Sequence, residues 1–479
     1  MWSGSLPEAR RQEVIATLRE VLPAPRTAAA SGKAPLNVTA TALEVADGLH
    51  DRSGFIWLDR PNHARLFLDP LVRLSVENGV ATVEGPLKTV SINIQAFDLV
   101  DAALEAWSGP AHALLCGYLG YELGAELEDL PTPERQPGEV PDFVLGLYDS
   151  VFECSDTGWT LSGTDAWRGQ NGLPCTIGHA EALLSGASRS SQPPNTTQPL
   201  SPGPLMSSLS REEFEHAVRN VVRRIFEGEL FQVNICRRLE APLPEASIWP
   251  AYVRLRAASP AAYGAFLRLA PGAALLSVSP ELFLAVEKSE VRSHPIKGTR
   301  RRGTSAAEDE QLAAELLRSE KDAAELAMIV DVTRNDLGRV CTPGSVSVSF
   351  HRQLMSLPTV HHTYSEVKGR LKANGSGVRL LRACFPPASI SGAPKIRAIE
   401  LAALEEGRRR GPCMGSIGWI SMDGCTEFSV AIRTAVAAAG SIWYLAGCGI
   451  TARSDPAEEF DESRMKASAF LNALGLPDI

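Results

Sequence analysis

The sequence predicts an α+β fold built largely of antiparallel β-sheets. Short apolar runs bounded by turn residues recur along the chain and indicate many strands. Longer segments with apolar residues at helical spacing lie between these runs and indicate amphipathic helices. Because several predicted strands follow one another directly in sequence, we expect them to pair antiparallel, without the crossover helices of a parallel sheet.

The length of 479 residues indicates two domains or one large composite unit. Residues 185–209 begin with a stretch that is rich in Ser, Pro, Gln and Thr and has no apolar period. Such a composition is typical of a flexible linker or a long surface loop. We therefore expect an N-terminal region over residues 1–184 and a C-terminal region over residues 210–479.

The N-terminal region contains short strand-like runs and a glycine-rich segment. The segment Gly117–Gly124 permits close packing of backbones, but it lacks the G-x-G-x-x-G spacing of a dinucleotide site. The strand-like runs are Gly54–Leu58, Leu66–Leu68 and Ala81–Val83.

The C-terminal region opens with a clear helix signal. Ser210 and Glu213 match a capping box, the apolar residues between Phe214 and Ile225 share one face, and Gly228 is expected to end the helix. Further helices are expected at Ala306–Arg318, Lys321–Leu337, Gly377–Ala383, Lys395–Glu406 and Pro456–Leu474. Further strands are expected at Leu230–Ile235, Ala274–Val278, Leu282–Val286, Ser345–Phe350, Met414–Ser421, Ser429–Thr434 and Ile442–Ala446.

Composition and charge restrict the possible partners and the compartment. A net charge of -9 argues against nucleic acid as the main partner, and it means that an anionic substrate needs a locally positive site or a metal ion. No apolar run is long enough to span a membrane, and the charged N-terminus does not resemble a signal peptide. Nine irregularly spaced cysteines without a zinc pattern suit a reducing compartment, so we expect a cytoplasmic protein.

Lys297 is the first candidate for a reactive group. It lies between an apolar pair and Gly298, and it is followed by Arg300, Arg301 and Arg302. An amine is a nucleophile only when it is neutral, so burial or nearby cations would have to lower its pKa. The three arginines are candidate cations for this purpose. The alternative is that the segment is a basic surface loop.

Three glutamates are candidate ligands for a metal ion. Glu459 and Glu462 lie three residues apart on a predicted helix, so their carboxylates share one face and can hold Mg²⁺. Glu325 lies on a mostly apolar helix, where an unpaired carboxylate is costly. The alternatives are a solvated acidic first turn for Glu459 and Glu462, and a salt bridge from Glu325 to Arg334.

Several polar and small residues are candidates for proton transfer and for binding a carboxylate. His362 follows a strand-like run and can act as a general base or near a leaving group, although a structural histidine is an equal alternative. Arg433 and Lys466 can pair with a carboxylate. Glycine-rich turns with exposed N–H groups can help these two residues to bind the carboxylate, and ordinary tight turns are the alternative. The residues of the turns are Gly415, Ser416, Gly418, Gly447 and Gly449.

These motifs, in this order, resemble the chorismate-utilising enzymes. The resemblance is dense from about residue 205 to residue 475 and looser over the N-terminal region. The segments that carry it are Phe231–Asn234, Ser279–Phe283, Pro295–Gly303, Met328–Arg339, Ser391–Lys395, Gly415–Gly418 and Ala446–Ile450.

Within that family, two positions look decisive. Anthranilate synthases typically have alanine at the position of Lys297, whereas aminodeoxychorismate synthases have lysine. Isochorismate and salicylate synthases have a water-activating lysine at the position of Gln232, whereas the ammonia-using members do not. The pair Lys297 and Gln232 is therefore similar to aminodeoxychorismate synthase component I.

The resemblance implies a fold, a reaction and a partner. The fold would be two large, mostly antiparallel sheets packed as a sandwich with helices around them. Chorismate and ammonia would give 4-amino-4-deoxychorismate, and a separate glutamine amidotransferase subunit would supply the ammonia. The product could feed a folate pathway or an antibiotic pathway, which the sequence does not distinguish.

The resemblance also implies a role for each site residue. Glu281 would act as the general acid, Lys297 as the nucleophile and His362 near the leaving group. Mg²⁺ would be bound by Glu325, Glu459 and Glu462. The substrate would be bound by Gln232, Thr299, Gly415, Ser416, Gly418, Arg433, Gly447, Gly449 and Lys466.

Two other functions compete with this interpretation. The first is anthranilate synthase component I, against which Lys297 argues. The second is a non-catalytic chorismate-binding subunit. A binding subunit has no need to keep an acid, a nucleophile and a metal site together.

Overall fold

The computed structural model describes residues 6–22, 33–107, 112–163, 166–168, 174–190, 200 and 202–477. The α-helices in this part of the chain are α1 (Glu8–Val21), α2 (Ala42–Asp47), α3 (Ala96–Ala106), α4 (Ile177–Ser190), α5 (Arg211–Phe226), α6 (Ile248–Ala258), α7 (Ala306–Arg318), α8 (Glu320–Val340), α9 (Gly377–Cys384), α10 (Ala388–Ser391), α11 (Lys395–Glu406) and α12 (Pro456–Leu474). None of these helices combines the length and apolarity needed to cross a bilayer.

The strands up to the middle of the chain are β1 (Lys33–Leu36), β2 (Ile56–Arg60), β3 (His63–Phe67), β4 (Val72–Glu77), β5 (Val80–Glu84), β6 (Thr89–Ile92), β7 (Leu114–Leu119), β8 (Phe143–Tyr148), β9 (Ser150–Ser155), β10 (Gly158–Gly163), β11 (Ala166–Arg168), β12 (Pro174–Thr176) and β13 (Met206–Ser207). Those that follow are β14 (Gln232–Pro242), β15 (Tyr263–Ala270), β16 (Ala273–Ser279), β17 (Leu282–Glu287), β18 (Glu290–Ser293), β19 (Ile296–Arg301), β20 (Ser347–Ser356), β21 (Val360–Arg370), β22 (Gly392–Ala393), β23 (Ser416–Ser421), β24 (Thr426–Val430), β25 (Thr434–Ala438) and β26 (Ser441–Ile450).

Two large antiparallel sheets form the body of the protein, as the sequence predicts. Sheet I has 12 strands in the order β1-β10-β9-β3-β2-β15-β16-β25-β26-β14-β13, with β22 also paired to β14. Sheet II also has 12 strands, in the order β19-β21-β18-β17-β24-β23-β7-β8-β4-β5-β6, with β20 also paired to β21. The small remaining sheet pairs β11 with β12.

The largest apolar core lies between the two sheets. Leu275 and Val436 enter this core from sheet I, and Leu115 and Phe428 enter it from sheet II. A second core covers the opposite face of sheet I, where side chains of α6 and α12 pack on it. The sheets therefore form a sandwich with helices outside, which confirms the predicted fold class.

Both sheets contain strands from both of the predicted regions. In sheet I, β2 pairs with β15, and in sheet II, β7 pairs with β23. The predicted linker also begins too early, because α4 continues to Ser190. Most of the rest of that segment, residues 191–199 and 201, lies outside the described residues. Over the described chain, the two regions share their sheets and their main core.

The helix predictions were more accurate than the strand predictions. Helices α7, α11 and α12 have the predicted limits, and α5 has both hydrogen bonds of the predicted capping box. The predicted strand Ser429–Thr434 is wrong, since β24 ends at Val430 and β25 begins at Thr434. The alternative of a basic surface loop around Lys297 is wrong, because Lys297 lies within β19.

Two of the places where the chain passes from one sheet to the other are neighbours. Pro280 and Glu281 connect β16 of sheet I to β17 of sheet II, and residues 431–433 connect β24 back to β25. The two connections are hydrogen-bonded, because Val430 N donates to Glu281 O at 3.1 Å and Val278 N donates to Arg433 O at 3.0 Å. Side chains on these connections meet where the two sheets join.

A buried ion pair fixes β14 beside this junction. The Arg410 and Glu406 side chains are 3% and 6% exposed and lie 2.6 Å apart. Arg410 also donates to Asn234 O at 2.7 Å, and Glu406 accepts from Cys236 N at 2.8 Å. The pair therefore binds α11 to the backbone of β14.

Replacing Glu406 by alanine should cost about 3–5 kcal/mol of unfolding free energy, because it leaves a buried guanidinium without its carboxylate. Urea unfolding of Glu406→Ala and wild type measures this loss. The neighbouring Glu405→Ala variant on the same helix serves as the control and should change stability by about 0.5 kcal/mol or less. Equal losses in the two variants would contradict the role of the pair.

Candidate active site

A large cavity of about 920 Å³ lies at the junction of the two sheets. Its walls come from β19, α8, α12, β26 and the two connections between the sheets. It brings together most of the predicted site residues, namely Glu281, Lys297, Thr299, Glu325, His362, Arg433, Gly447, Gly449, Glu462 and Lys466.

Lys297 lines this cavity, and its amine lies close to β26. A Cβ built on Gly449 of β26 would lie 3.4 Å from Lys297 Nζ. Burial lowers the pKa of Lys297, and Lys466 lowers it further, while the carboxylates of Glu325 and Glu281 oppose the shift. The amine is thus shifted toward the neutral, nucleophilic form.

The three arginines after Lys297 have other partners. Arg300 lies 3.0 Å from Glu315 and 3.3 Å from Asp322, Arg302 pairs with Asp309 at 2.6 Å, and Arg301 pairs with Glu308. The prediction that they lower the pKa of Lys297 is wrong, because Lys466 is the cation that acts on it. The arginines instead fasten β19 to α7 and α8.

Glu281 is buried where the chain passes from sheet I to sheet II. Burial raises the pKa of its carboxyl to about 7, and the neighbouring Ser389 side chain and the Lys297 charge reduce that shift. A carboxyl that stays protonated near neutral pH can donate a proton, as a general acid must.

The three candidate metal ligands come from two helices. Glu459 accepts hydrogen bonds from Ser454 at 2.6 Å and from Lys321 at 3.2 Å, and Glu462 lies 2.7 Å from Lys466 Nζ. Glu325 accepts from Gln232 Nε2 at 3.3 Å. The proposed salt bridge to Arg334 is not formed, because Arg334 pairs with Asp331 at 2.8 Å.

The oxygens of Glu459 and Glu462 are close enough together to share a hard divalent cation, and Glu325 lies outside this group. Burial raises the pKa of Glu325, the charges of Lys297 and Lys321 lower it, and those of Asp322 and Glu462 raise it further. Carboxylate oxygens are the ligands that Mg²⁺ prefers. The thiol of Cys448 lies with the oxygens of Glu459 and Glu462 within 4.8 Å of one another, a neighbour that the sequence did not indicate.

Gln232 fills the space that Gly449 leaves. A Cβ on Gly449 would approach Gln232 Nε2 to 2.2 Å, so no larger residue fits there without displacing the amide. Gln232 is 1% exposed, and its Oε1 has no hydrogen-bond partner among the described atoms. A buried acceptor of this kind is costly unless a ligand or water satisfies it.

His362 and Arg433 form a hydrogen-bonded pair in the wall of the cavity. Arg433 Nη2 donates to His362 Nε2 at 2.9 Å, and His362 Nδ1 lies 3.2 Å from Gly298 O and 3.0 Å from Thr299 Oγ1. Burial and the Arg433 charge lower the pKa of His362 to about 3. The imidazole is therefore neutral, with its proton assigned to Nδ1, and it orients Arg433. This geometry favours a positioning role over proton transfer.

Arg433 is suited to bind an anion. Its guanidinium lines the cavity, burial lowers its pKa, and among the described residues no carboxylate pairs with it. A buried cation without a counter-charge is unfavourable, and a ligand carboxylate would supply that charge.

The predicted glycine-rich turns are strands. Ser416 and Gly418 lie in β23 in the middle of sheet II, with Gly415 just before it, and none of the three lines the cavity. Gly447 and Gly449 lie in β26 and do line it. Close approach of neighbouring strands explains these glycines, because a Cβ on Gly447 would lie 2.2 Å from Ile235 O.

Sequence reasoning missed several residues of the cavity. Lys321 precedes Glu325 by one helical turn, and that spacing was a usable signal. Ser389 and Tyr444 gave no local signal, because they reach the cavity only through long-range packing.

Comparison with known proteins agrees with this geometry. A sequence profile of the chorismate binding enzyme family matches residues 53–472, so the chain belongs to this family. It is 37% identical to aminodeoxychorismate synthase component 1 of Salmonella typhimurium over 359 residues, which are 75% of this chain and 76% of that protein. It is also 37% identical to anthranilate synthase component 1 of Streptomyces coelicolor over 375 residues, 76% and 73% of the two chains.

A solved structure shares the fold. The crystal structure of anthranilate synthase component I from Streptococcus pneumoniae superposes with a TM-score of 0.73 at 26% identity, covering 86% of this chain and 92% of that one. The identity to aminodeoxychorismate and anthranilate synthases is equal, so overall similarity does not separate these two reactions.

The buried carboxyl of Glu281 should make stability depend on pH. Its pKa in the folded state, about 7, lies above the ordinary value of 4.5, so the stability that it contributes is present below pH 4.5 and is lost as pH rises through 7. Glu281→Gln stays neutral and should be more stable than wild type at pH 8 by about 1–3 kcal/mol. Urea unfolding at pH 5 and pH 8 measures this, and a gain that is equal at both values would contradict it.

Proposed function

We propose that this protein converts chorismate and ammonia to 4-amino-4-deoxychorismate, the activity of an aminodeoxychorismate synthase component I. One observation carries the proposal: Lys297 lines the large cavity together with Glu281, Glu325 and Glu462, and the pKa of its amine is lowered. A lysine nucleophile next to a buried acid suits displacement of a hydroxyl through a covalent adduct.

Lys297 also separates this proposal from anthranilate synthesis. Removal of an enolpyruvyl group to form an aromatic ring needs no amine nucleophile at this position. A buried lysine with a lowered pKa would have no purpose in that reaction, whereas replacement of the C4 hydroxyl through a covalent adduct needs a nucleophile on the enzyme. The position of Lys297 is therefore our reason to prefer aminodeoxychorismate.

The cavity offers partners for both carboxylates of chorismate. Arg433, oriented by His362, would bind one carboxylate bidentately. Lys466, Thr299 and the backbone at Gly447 and Gly449 would contact the rest of the substrate. Glu325, Glu459 and Glu462 would hold Mg²⁺, which when bound withdraws electron density from the ring carboxylate and offsets negative charge.

The first displacement would join lysine to the ring. The Lys297 amine attacks C2, the ring double bonds shift, and the C4–O bond breaks. Glu281 gives its proton to the departing oxygen, so water leaves, Glu281 becomes a carboxylate, and the adduct nitrogen carries a positive charge.

The second displacement would release the lysine from the ring. Ammonia attacks C4, the double bonds shift back, and the bond between C2 and the lysine nitrogen breaks. Lysine leaves as the neutral amine, and the product carries the charge as an ammonium. The buried Oε1 of Gln232 is an acceptor near Lys297 that an N–H group of ammonia can satisfy.

Ammonia would come from a glutamine amidotransferase subunit. Support for such a partner is the similarity to proteins named as component 1 of a synthase. We also propose a cytoplasmic location, which suits the eight free cysteines among the described residues.

Lys297→Ala should lose aminodeoxychorismate formation by a factor on the order of 10³ or more, because no other amine can form the adduct. Purified protein is incubated with chorismate, Mg²⁺ and an ammonium salt, and products are separated by chromatography. Lys368→Ala, on the adjacent strand β21, is the control and should keep wild-type activity. Fluorescent anthranilate as the wild-type product would refute the proposal, and an active Lys297→Ala would remove the covalent step.

The pH profile should report Glu281 as the acid. Because its pKa is raised to about 7 and the protonated form is required, kcat/KM should fall above about pH 7, approaching tenfold per pH unit. Glu281→Gln should lower kcat by about 10²- to 10⁴-fold and should lack this limb of the profile. If kcat/KM of the variant still decreases above pH 7, the titration belongs to another group.

A further inference from the structure

Glu281 also lines a second, small cavity, and Ser389 is shared by the two cavities as well. The volume of the small cavity is about 20 Å³, and its polar lining residues are Glu281, Ser293, Thr333, Asp336 and Ser389. A single water molecule needs about 10–15 Å³ and two to four polar partners, so the cavity has the size and the chemistry to hold one.

Two of these residues offer acceptors only. Thr333 Oγ1 donates its proton to Ile329 O at 2.8 Å, so its lone pairs remain for another donor. Asp336 is 7% exposed and, as a carboxylate, can only accept. Its oxygens already receive Lys395 Nζ at 2.6 Å and Arg339 Nη2 at 3.0 Å, and each oxygen has a second lone pair.

A water between these residues is therefore restricted in its orientation. Its two hydrogens point to Thr333 and Asp336, so its lone pairs face the remaining lining groups. Two of these groups are the hydroxyls of Ser293 and Ser389, which are 5% and 9% exposed and can each donate to the water. The third is the carboxyl of Glu281, which can donate to the water only while it is protonated.

We propose that Asp336 and Thr333 hold a water in this cavity that accepts a hydrogen bond from Glu281, and that they thereby keep this carboxyl in its acid form. Asp336 and Thr333 are positioning residues, since they act through the water. The inference deepens the proposed function, in which each turnover leaves Glu281 as a carboxylate that must regain a proton from solvent before the next one.

The surrounding charges agree with this arrangement. Among the described groups, Lys297 of β19 faces Glu281 from the large cavity and favours its ionised form. Asp336 of α8 faces the small cavity and opposes ionisation, while Lys395 and Arg339 stand behind Asp336 and offset part of its charge. The Cys384 thiol also lines the small cavity and is neutral, because burial raises its pKa.

Asp336→Asn and Thr333→Val test the proposal. Each variant removes an obligate acceptor, so the water can turn a hydrogen toward Glu281 and stabilise the carboxylate. We expect the apparent pKa of Glu281 to fall by about 1 unit in Asp336→Asn, because this variant also leaves Lys395 and Arg339 without their carboxylate partner. In Thr333→Val the pKa should fall by less. Ser391→Ala, on the same short helix as Ser389 and hydrogen-bonded to Pro387 O at 3.0 Å, is the matched control and should show no shift.

The test has two readouts, of which the second is independent of activity. The first is the decrease of kcat/KM at high pH, which reports Glu281 if the enzyme turns over chorismate. Infrared difference titration of each protein against its Glu281→Gln counterpart reports the same carboxyl without substrate. Failure of the wild type to aminate chorismate would refute the proposed function but would leave the infrared test intact.

The inference is overturned if both variants titrate like wild type or if their pKa values rise. Asp336→Asn also breaks an ion pair, so Thr333→Val, which keeps the shape of the side chain, decides the question if Asp336→Asn does not fold. A high-resolution crystal structure should place a water within hydrogen-bond distance of Glu281, Thr333 and Asp336, and a dry cavity would likewise overturn the proposal.

Discussion

The charge balance around the amine of Lys297 is the constraint on which the site depends. Burial favours the neutral amine, and Lys466 strengthens that preference. Glu325 and Glu281 oppose it, so a shift in any of these three groups changes the fraction of reactive amine. Lys466 is itself held by Glu462, at 2.7 Å. Lys297, Glu281, Lys466 and the carboxylates of Glu325 and Glu462 therefore form one electrostatic unit, and none can be altered alone.

The fold assembles this unit from distant parts of the chain. Glu281 and Arg433 lie on two adjacent connections between the sheets, which are joined by backbone hydrogen bonds. Lys297 lies on β19, an end strand of sheet II, and the three arginines that follow it fasten that strand to α7 and α8. Lys297 is held by a strand, whereas Glu281 and Arg433 are held by short connections that are hydrogen-bonded to the strands beside them. Such fixed positions suit chemistry that needs exact distances.

Sequence patterns predicted the helices and the fold class, and most of the predicted site residues meet in the cavity. Capping residues and apolar spacing are local signals, which is why α5 and α12 were placed correctly. The glycines of β26 were misread as turns, because only the approach of Gln232 and the β14 backbone requires them. Contacts between distant segments, which no local pattern encodes, determine the partners of Arg300, Arg301 and Arg302. They also form the small cavity that Glu281 lines.

The sharing of both sheets between the two regions has a consequence for how such a chain can change. Exchange of either half with a foreign gene segment would leave strands without neighbours and apolar side chains in water, so recombination at the midpoint would be selected against. Diversification must then proceed by point substitutions around a preserved scaffold. Equal resemblance to enzymes of two different reactions is what descent by that route would leave behind.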